Sequence, residues 1–430
     1  VRRSGRKAIT DNSPSRRGTS RLRRIVVVGA GDCGTRVALA LRRGGWEGAL
    51  TLVGDEAVAP YERPPLSKAT LAEPDAAPPP ITRASEMAEL AIEWEPKRAA
   101  ARIDRSASEV VLADGHRVAY DRLLLSTGAR ARRPSVPGAE VVLTLRSYGD
   151  AVRLRGQLCA GTRLFVMGGG FIGLEVAATA ADLGCQVTVV EFAHRLMSRV
   201  VPAKVAELVR ARHADAGVDI RCGVGVDRIE SRENTHHVVL TDGSRVEADV
   251  VMAGIGAVPN TELGAAAGLT VANGIRVDEH LCTDDPAIYA AGDCCSFPHP
   301  LYGGTRVRIE AWKNALDHAD VATRNLLGDD AVCETVPWFW SDQYELGLQI
   351  AGLHEQAAYD VVRSRDDGTE IRFGLDNDGR VVSASGVAVG SAISRDISLA
   401  EVLIARRATP RPTELANPTV NLRELVRAAS

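Results

Sequence analysis

Gly29, Gly31 and Gly34 form one G-x-G-x-x-G triplet, in GAGDCG, and Gly168, Gly170 and Gly173 form a second, in GGGFIG. Glycines at this spacing let a backbone turn approach a pyrophosphate, whose charge is then held at the start of the following helix. At the end of the next apolar run each triplet is followed by an acid, Asp55 or Glu191, placed to accept hydrogen bonds from ribose hydroxyls. Two dinucleotide sites are implied. A further stretch, PYERPPLSKATL from Pro60 to Leu71, is too polar for a core strand, and its prolines exclude a helix before about Leu66. Its Arg63 and Lys68 need an explanation other than burial.

The elements that must position these residues can be read around each triplet. RIVVV is an apolar strand, TRVALALRRG a helix and ALTLVGD a second strand, and the same order recurs through RLFVM, LEVAATAADLG and QVTVVE. Each βαβ unit is followed by a DG turn between alternating runs, a hairpin signal, and then by a strand ending in glycine, at Gly128 or at Gly254 and Gly256. AIYAAGDCCS supplies a third strand ending in Asp293, ahead of the helix EAWKNALDHADVATRNLLG. After Leu327 strands that alternate with a DG turn, as in EIRFGLDNDGRVVSASGV, and the helix ISLAEVLIARRA read as a separate α+β domain. EPDAAPPPIT (73–82) reads as a surface loop.

The expected fold is α/β, with two Rossmann-like nucleotide-binding domains and a C-terminal α+β domain. Its expected parts are a first nucleotide domain over 25–130 and 250–329, a second over 131–249 and the C-terminal domain over 330–430. Residues 1–24, with nine Lys or Arg against one Asp and no periodicity, are expected to form a disordered basic tail.

A chain of 430 residues, 45% apolar and 25% charged, has ample material for such cores. Its formal charge of −3 gives no global footprint for nucleic acid or a membrane surface, and no apolar run reaches the roughly 18 residues of a spanning helix. The eight cysteines include no CxxC and no Cys/His grouping at zinc spacing, so no metal site is expected. Reduced thiols and a cytoplasmic location are the corresponding expectation.

The pieces VGDEAVAPYERPPLSKATL, GGGFIGLEVAATA, AGDC, RIEAWKNA and PWFWSDQY, in that order, resemble the ferredoxin reductase family. These are FAD-containing, NADH-oxidising components that feed ring-hydroxylating dioxygenases and bacterial cytochrome monooxygenases. The resemblance runs from about residue 24 to the C-terminus and implies a glutathione-reductase-like pair of Rossmann domains, the FAD domain interrupted by the NAD domain. It implies that FAD is bound by Gly29, Gly31, Gly34, Asp55, Arg63, Lys68, Arg146, Asp293 and Trp312, with Cys33 and Ala100 touching it through main chain. Lys68 would lie near the flavin N5, with Glu175 pairing to it as NADH docks. Gly168, Gly170, Ile172, Gly173, Glu175, Glu191, Arg199, Gly254 and Glu310 would line the NAD site. A carboxylate at Glu191 favours NADH over NADPH, although Arg195 and Arg199 nearby offer a rival partner for a 2′-phosphate. Trp340 would stand between the flavin and a protein acceptor, a small [2Fe-2S] ferredoxin or a rubredoxin that supplies an oxygenase.

Lys68, Glu175 and Trp340 are thus the implied catalytic groups, although taken alone Lys68 is a solvated loop lysine and Trp312 a core residue. A thiol- or peroxide-reducing flavoprotein of the same fold would need a redox cysteine where this chain has YERPPLSK. An apoptosis-inducing-factor-like flavoprotein, an NADH-binding interaction module, is the alternative. Slow reduction by NADH and no ferredoxin-stimulated electron transfer would distinguish it.

Overall fold

The computed structural model describes residues 22–233 and 235–429. Apolar, β-branched runs set its two central sheets, because parallel strands covered on both faces need continuous apolar sequence. Arg24–Val28 pairs in parallel with Ala49–Val53 on one side and Arg122–Leu125 on the other, and Glu93–Glu95 and Ile288–Ala290 complete five strands. In the second sheet Arg163–Met167 lies between Gln186–Glu191 and Val250–Ala253, with Asp219–Cys222 and Leu143–Thr144 outermost, again all parallel.

The repetition extends to the excursions. Ala100–Asp104, Glu109–Leu112 and Arg117–Ala119 form a three-stranded antiparallel sheet, and so do Val226–Arg232, Thr235–Leu240 and Arg245–Ala248. Each turns at its DG dipeptide. In both units the helix after the glycine turn, Asp32–Arg43 or Phe171–Asp182, begins almost against the turn itself. A Cβ on Gly34 would lie 2.0 Å from the Gly29 carbonyl oxygen, and one on Gly173 would lie 2.1 Å from that of Gly168, so only glycine permits the approach.

Five antiparallel strands form the C-terminal sheet, in the order Trp338–Gln343, Leu346–Gly352, Val381–Val389, Glu370–Leu375, Tyr359–Ser364. Its Leu348, Ile350 and Val387 share one core with Leu164, Val166 and Val189 of the second parallel sheet and with Tyr61, Leu66 and Leu71. The segment Pro60–Leu71 is therefore wedged where three parts of the chain meet.

Several expectations need correction. Arg23 and Arg24, assigned to the tail, are anchored: both backbone amides donate to Asp121 Oδ2, and Arg24 opens the first strand. Residues 1–21 of that tail lie outside the described residues. Helical structure begins at Pro64, before Leu66, as a 3₁₀ turn Pro64–Ser67, because prolines in a first turn lack only amides that would have no partner there. The 73–82 loop is more than a surface excursion. Ile81 N donates to Pro60 O at 2.8 Å and Glu62 N to Pro79 O at 2.9 Å, which clamps Pro60–Glu62, immediately before Arg63. The strand expected to end in Asp293 stops at Ala290, and Asp293 sits in a 3₁₀ turn, Gly292–Cys294. Among the described residues no helix is long and apolar enough to cross a membrane, and no His/Cys/Asp/Glu group could hold a metal ion.

That 3₁₀ turn depends on His318, whose Nδ1 accepts from Gly292 N at 3.0 Å. Burial pushes His318 down to about 3 and nearby His299 down to about 4. Both are neutral when folded, whereas an unfolded histidine titrates near 6.5. Their stabilisation is complete above that value and is lost as pH falls towards 4 and then 3, by about 1.4 kcal/mol per pH unit for each histidine. His318→Gln, which keeps an acceptor for Gly292 N, should therefore flatten the fall of Tm between pH 6.5 and 4.5. Thermal melts across that range check it, and a slope as steep as the unmodified protein's would contradict it.

Candidate functional site

Around the first glycine turn the structure gathers most of the residues expected there. A Cβ on Gly31 would meet only Arg63 Nη2, at 3.9 Å, so this backbone is open to a phosphate on the side where Arg63 stands. Arg63 pairs with Glu56 at 3.2 Å and donates from Nη1 to Arg146 O at 3.3 Å. Arg146 in turn pairs with Asp293 at 2.8 Å. The two arginines and the acid, widely separated in sequence, thus form one chain of contacts. Arg36 Nε and Arg146 Nε are buried without a hydrogen-bond partner. Cys33 is buried beside Gly292, a Cβ on which would stand 3.7 Å from its sulfur. Asp55 and Ala100 stand apart. Asp55 is exposed just past the end of its strand and makes no hydrogen bond or ion pair among the described residues, while Ala100 opens the antiparallel excursion.

Lys68 meets Glu175 at the junction of the three parts. Its Nζ lies 3.1 Å from Glu175 Oε1, and the carboxylate, itself only 4% exposed, also accepts from the hydroxyls of Ser67 and, at 2.7 Å, of Ser341. Ser341 accepts from Gln343 Nε2, and Gln343 Oε1 is 2.8 Å from His213 Nε2, which extends the network into the second unit. The exposed Asp342 carboxylate lies 3.8 Å from the same ammonium. Above Lys68, 5.9 Å away, is the Trp340 ring, in edge contact with Trp312 at 5.4 Å and stacked on Trp338 at 5.5 Å. Phe339, on the opposite face of that strand, packs into the core.

The second glycine turn is organised differently. Both Glu191 oxygens are held by backbone amides: Gly169 N donates to Oε2 at 2.7 Å and Ala193 N to Oε1 at 2.8 Å. A carboxylate so fixed keeps lone pairs for further donors. Arg195 is committed to the carbonyls of Ser198 and Val201, both at 2.7 Å, whereas Arg199 is exposed near Gly256 and unpaired among the described residues. Gly254 packs against Gly173, with Ile172 exposed on the helix's first turn, and Glu310 pairs with Arg308.

Sequence reasoning missed Asp32, Glu56, Tyr61, Ser67, Ser341 and Asp342. Asp32 begins the helix after the first glycine turn and accepts from Trp312 Nε1 at 3.2 Å. Burial pushes its carboxyl up to about 6 against the pull of Arg36 and Arg63. The Tyr61 hydroxyl donates to Glu56 at 2.6 Å and accepts from Tyr148 N at 2.8 Å, bracing the segment before Arg63. Only Asp32, a charge inside a glycine triplet, carried a signal in the sequence. All eight cysteines are free, and burial raises Cys33, Cys294, Cys295 and Cys333 away from the thiolate.

The comparisons agree with this geometry. Residues 23–319 match the pyridine nucleotide-disulphide oxidoreductase family, and residues 338–426 match the reductase C-terminal domain. The chain is 42% identical, over 93% of its length and 98% of the relative's, to the anthranilate 1,2-dioxygenase system ferredoxin–NAD(+) reductase component of Burkholderia cepacia. It is 40% identical to the rubredoxin–NAD(+) reductase of Ectopseudomonas oleovorans over 76% of this chain and 86% of that one. Among solved structures, the covalent putidaredoxin reductase–putidaredoxin complex superposes with a TM-score of 0.89 at 39% identity, covering 95% of this chain and 99% of that chain. Two glycine turns on duplicated parallel sheets, joined through Lys68 and Glu175, therefore belong to an oxidoreductase of the pyridine nucleotide-disulphide oxidoreductase family that carries a reductase C-terminal domain.

Proposed function

We propose that this protein passes electrons from NADH through a bound FAD to a small [2Fe-2S] ferredoxin or rubredoxin that supplies an oxygenase. The observation that carries the reading is the Lys68–Glu175 pair, which places a cation beneath Trp340 where both nucleotide units and the C-terminal domain meet. The names of the relatives, which are reductases acting on ferredoxins and rubredoxins, support the same reaction class.

The residues present fit FAD. The open backbone at Gly31, Arg146 with its buried Nε free of any hydrogen bond, and Asp293 supply what a pyrophosphate and a ribitol chain need. Gly29, Gly34, Cys33 through its main chain, Arg63, Arg146 and Trp312 would complete the cradle, with Asp55 and Ala100 at its adenosine end. FAD, when bound, accepts a hydride from a reduced nicotinamide and releases the two electrons singly.

The chain's own contribution is positioning and electrostatics. Lys68 presents a positive charge oriented by Glu175, which is held in turn by Ser67 and Ser341. Gly168, Gly170 and Gly173 bring NADH in by its pyrophosphate, and the fixed Glu191 carboxylate accepts its 2′-hydroxyl and repels a 2′-phosphate. Trp340 and Trp312 form the wall between this site and the face on which the acceptor docks.

Three variants test these assignments. Lys68→Met should slow anaerobic flavin reduction by NADH about 10²-fold, the scale of losing one preorganised donor. Trp340→Phe, which keeps a ring above Lys68, should leave that step nearly intact and impair ferredoxin reduction; stopped-flow separates the half-reactions, and equal slowing of both by either variant contradicts the division. Glu191→Gln retains an acceptor for one of the two amides, so it should narrow the NADH-over-NADPH ratio of kcat/KM by about 1–3 kcal/mol. An unmodified protein that prefers NADPH, or an unaltered ratio in the variant, would move the 2′ contact from Glu191 to Arg199.

A further inference from the structure

Phe192 is out of place for its residue type. Its side chain is 81% exposed, more than any other large apolar side chain among the described residues, yet the backbone around it is fixed. Glu191 O accepts from Val224 N at 3.3 Å, Ala193 N donates to Glu191 Oε1 at 2.8 Å, and Ala193 O accepts from Gly223 N at 2.9 Å. One ring edge lies along Gly225, where a Cβ would stand 3.2 Å from Cδ2 and 3.8 Å from Cε2. The fold thus holds an aromatic face in water, directly after the carboxylate assigned to the ribose.

We infer that Phe192 is the platform on which the adenine of the dinucleotide stacks, an inference that rests on the reading of Glu191 as the ribose acid. The base hangs from the ribose carbon adjacent to the one bearing the 2′-hydroxyl, so fixing that hydroxyl at Glu191 brings the purine to the neighbouring residue. A flat base laid on a flat ring sheds water from both faces and needs no hydrogen-bond code. Ile172, the exposed apolar residue on the other side of the glycine turn, offers no such face. Adenine lies far from the reacting nicotinamide, so its contact strengthens substrate and transition state alike, and its loss appears in KM with kcat unchanged.

Being exposed, Phe192 can be truncated without opening a cavity. The test compares the unmodified FAD-loaded protein with Phe192→Ala and Phe192→Tyr, using NADH and reduced nicotinamide mononucleotide, which lacks the adenosine half. Phe192→Ala should raise KM for NADH roughly 5- to 100-fold, the range of one base–aromatic stack, with kcat nearly constant. Phe192→Tyr should restore KM, and all three proteins should use the mononucleotide equally. An unchanged KM for NADH in Phe192→Ala overturns the platform alone, as does an equal loss with both nucleotides. Failure of the unmodified protein to oxidise NADH overturns the functional reading and this inference together.

Discussion

Taking the carboxylate of Glu175 out of water costs several kcal/mol unless its lone pairs are met, and two other parts of the chain meet them. Lys68 and Ser67 come from the segment wedged beside the first unit, Glu175 from the helix after the glycine turn of the second, and Ser341 from the leading strand of the C-terminal sheet. Removing any one contact leaves a buried charge undercompensated, so the three parts are held in one arrangement by a polar interaction that also fixes the ammonium at the centre of the site. The apolar core formed around the same point by Leu66, Leu174 and Leu348 keeps water out and makes those contacts stronger. Packing brings the parts together, and the carboxylate sets their register.

Lys68 is also shared. Its second acid, Asp342, is 3.8 Å away and largely exposed, so water screens that attraction, whereas the shorter contact to buried Glu175 is screened little. The ammonium is therefore held inward. Asp342 lies on the same strand as Trp340 and Ser341, so a partner docking over this strand reaches the charge balance at Lys68 as well as the aromatic wall.

The parts of the structure that were legible in the sequence are those governed by local rules. Both glycine turns, both DG hairpins and the change of pattern after Leu327 follow from backbone sterics and periodicity, which need no knowledge of distant residues. Lys68, Arg63 and Arg146 were found through resemblance, not through any local rule. What escaped is long-range: Ser67 meets Glu175 across 108 residues, Ser341 meets it across 166, and Trp312 meets Asp32 across 280. A serine in a proline-rich turn or in a strand has no distinctive pattern, and only the packing of three parts gives it a role. Of the boundary errors, the one at Pro64 has a local cause, since prolines at the start of a 3₁₀ turn lack only amides without partners, whereas the one at Arg24 is long-range, because Asp121 anchors that strand across 97 residues.

The two glycine units repeat one architecture, yet their acids are treated in opposite ways. Asp55 projects past its strand without a partner among the described residues, whereas Glu191 is tied by two amides before any nucleotide arrives. On the proposed reading the first site keeps its cofactor, so the entropy of ordering Asp55 is lost once in the life of the protein. The second site must bind and release a dinucleotide in every cycle, and a side chain that had to be ordered each time would weaken every binding event. Fixing Glu191 in advance removes that recurring cost, while leaving lone pairs that a hydroxyl can use and a phosphate cannot. The divergence between the duplicated units is thus what a resident cofactor in one and a diffusing substrate in the other would require of otherwise equivalent carboxylates.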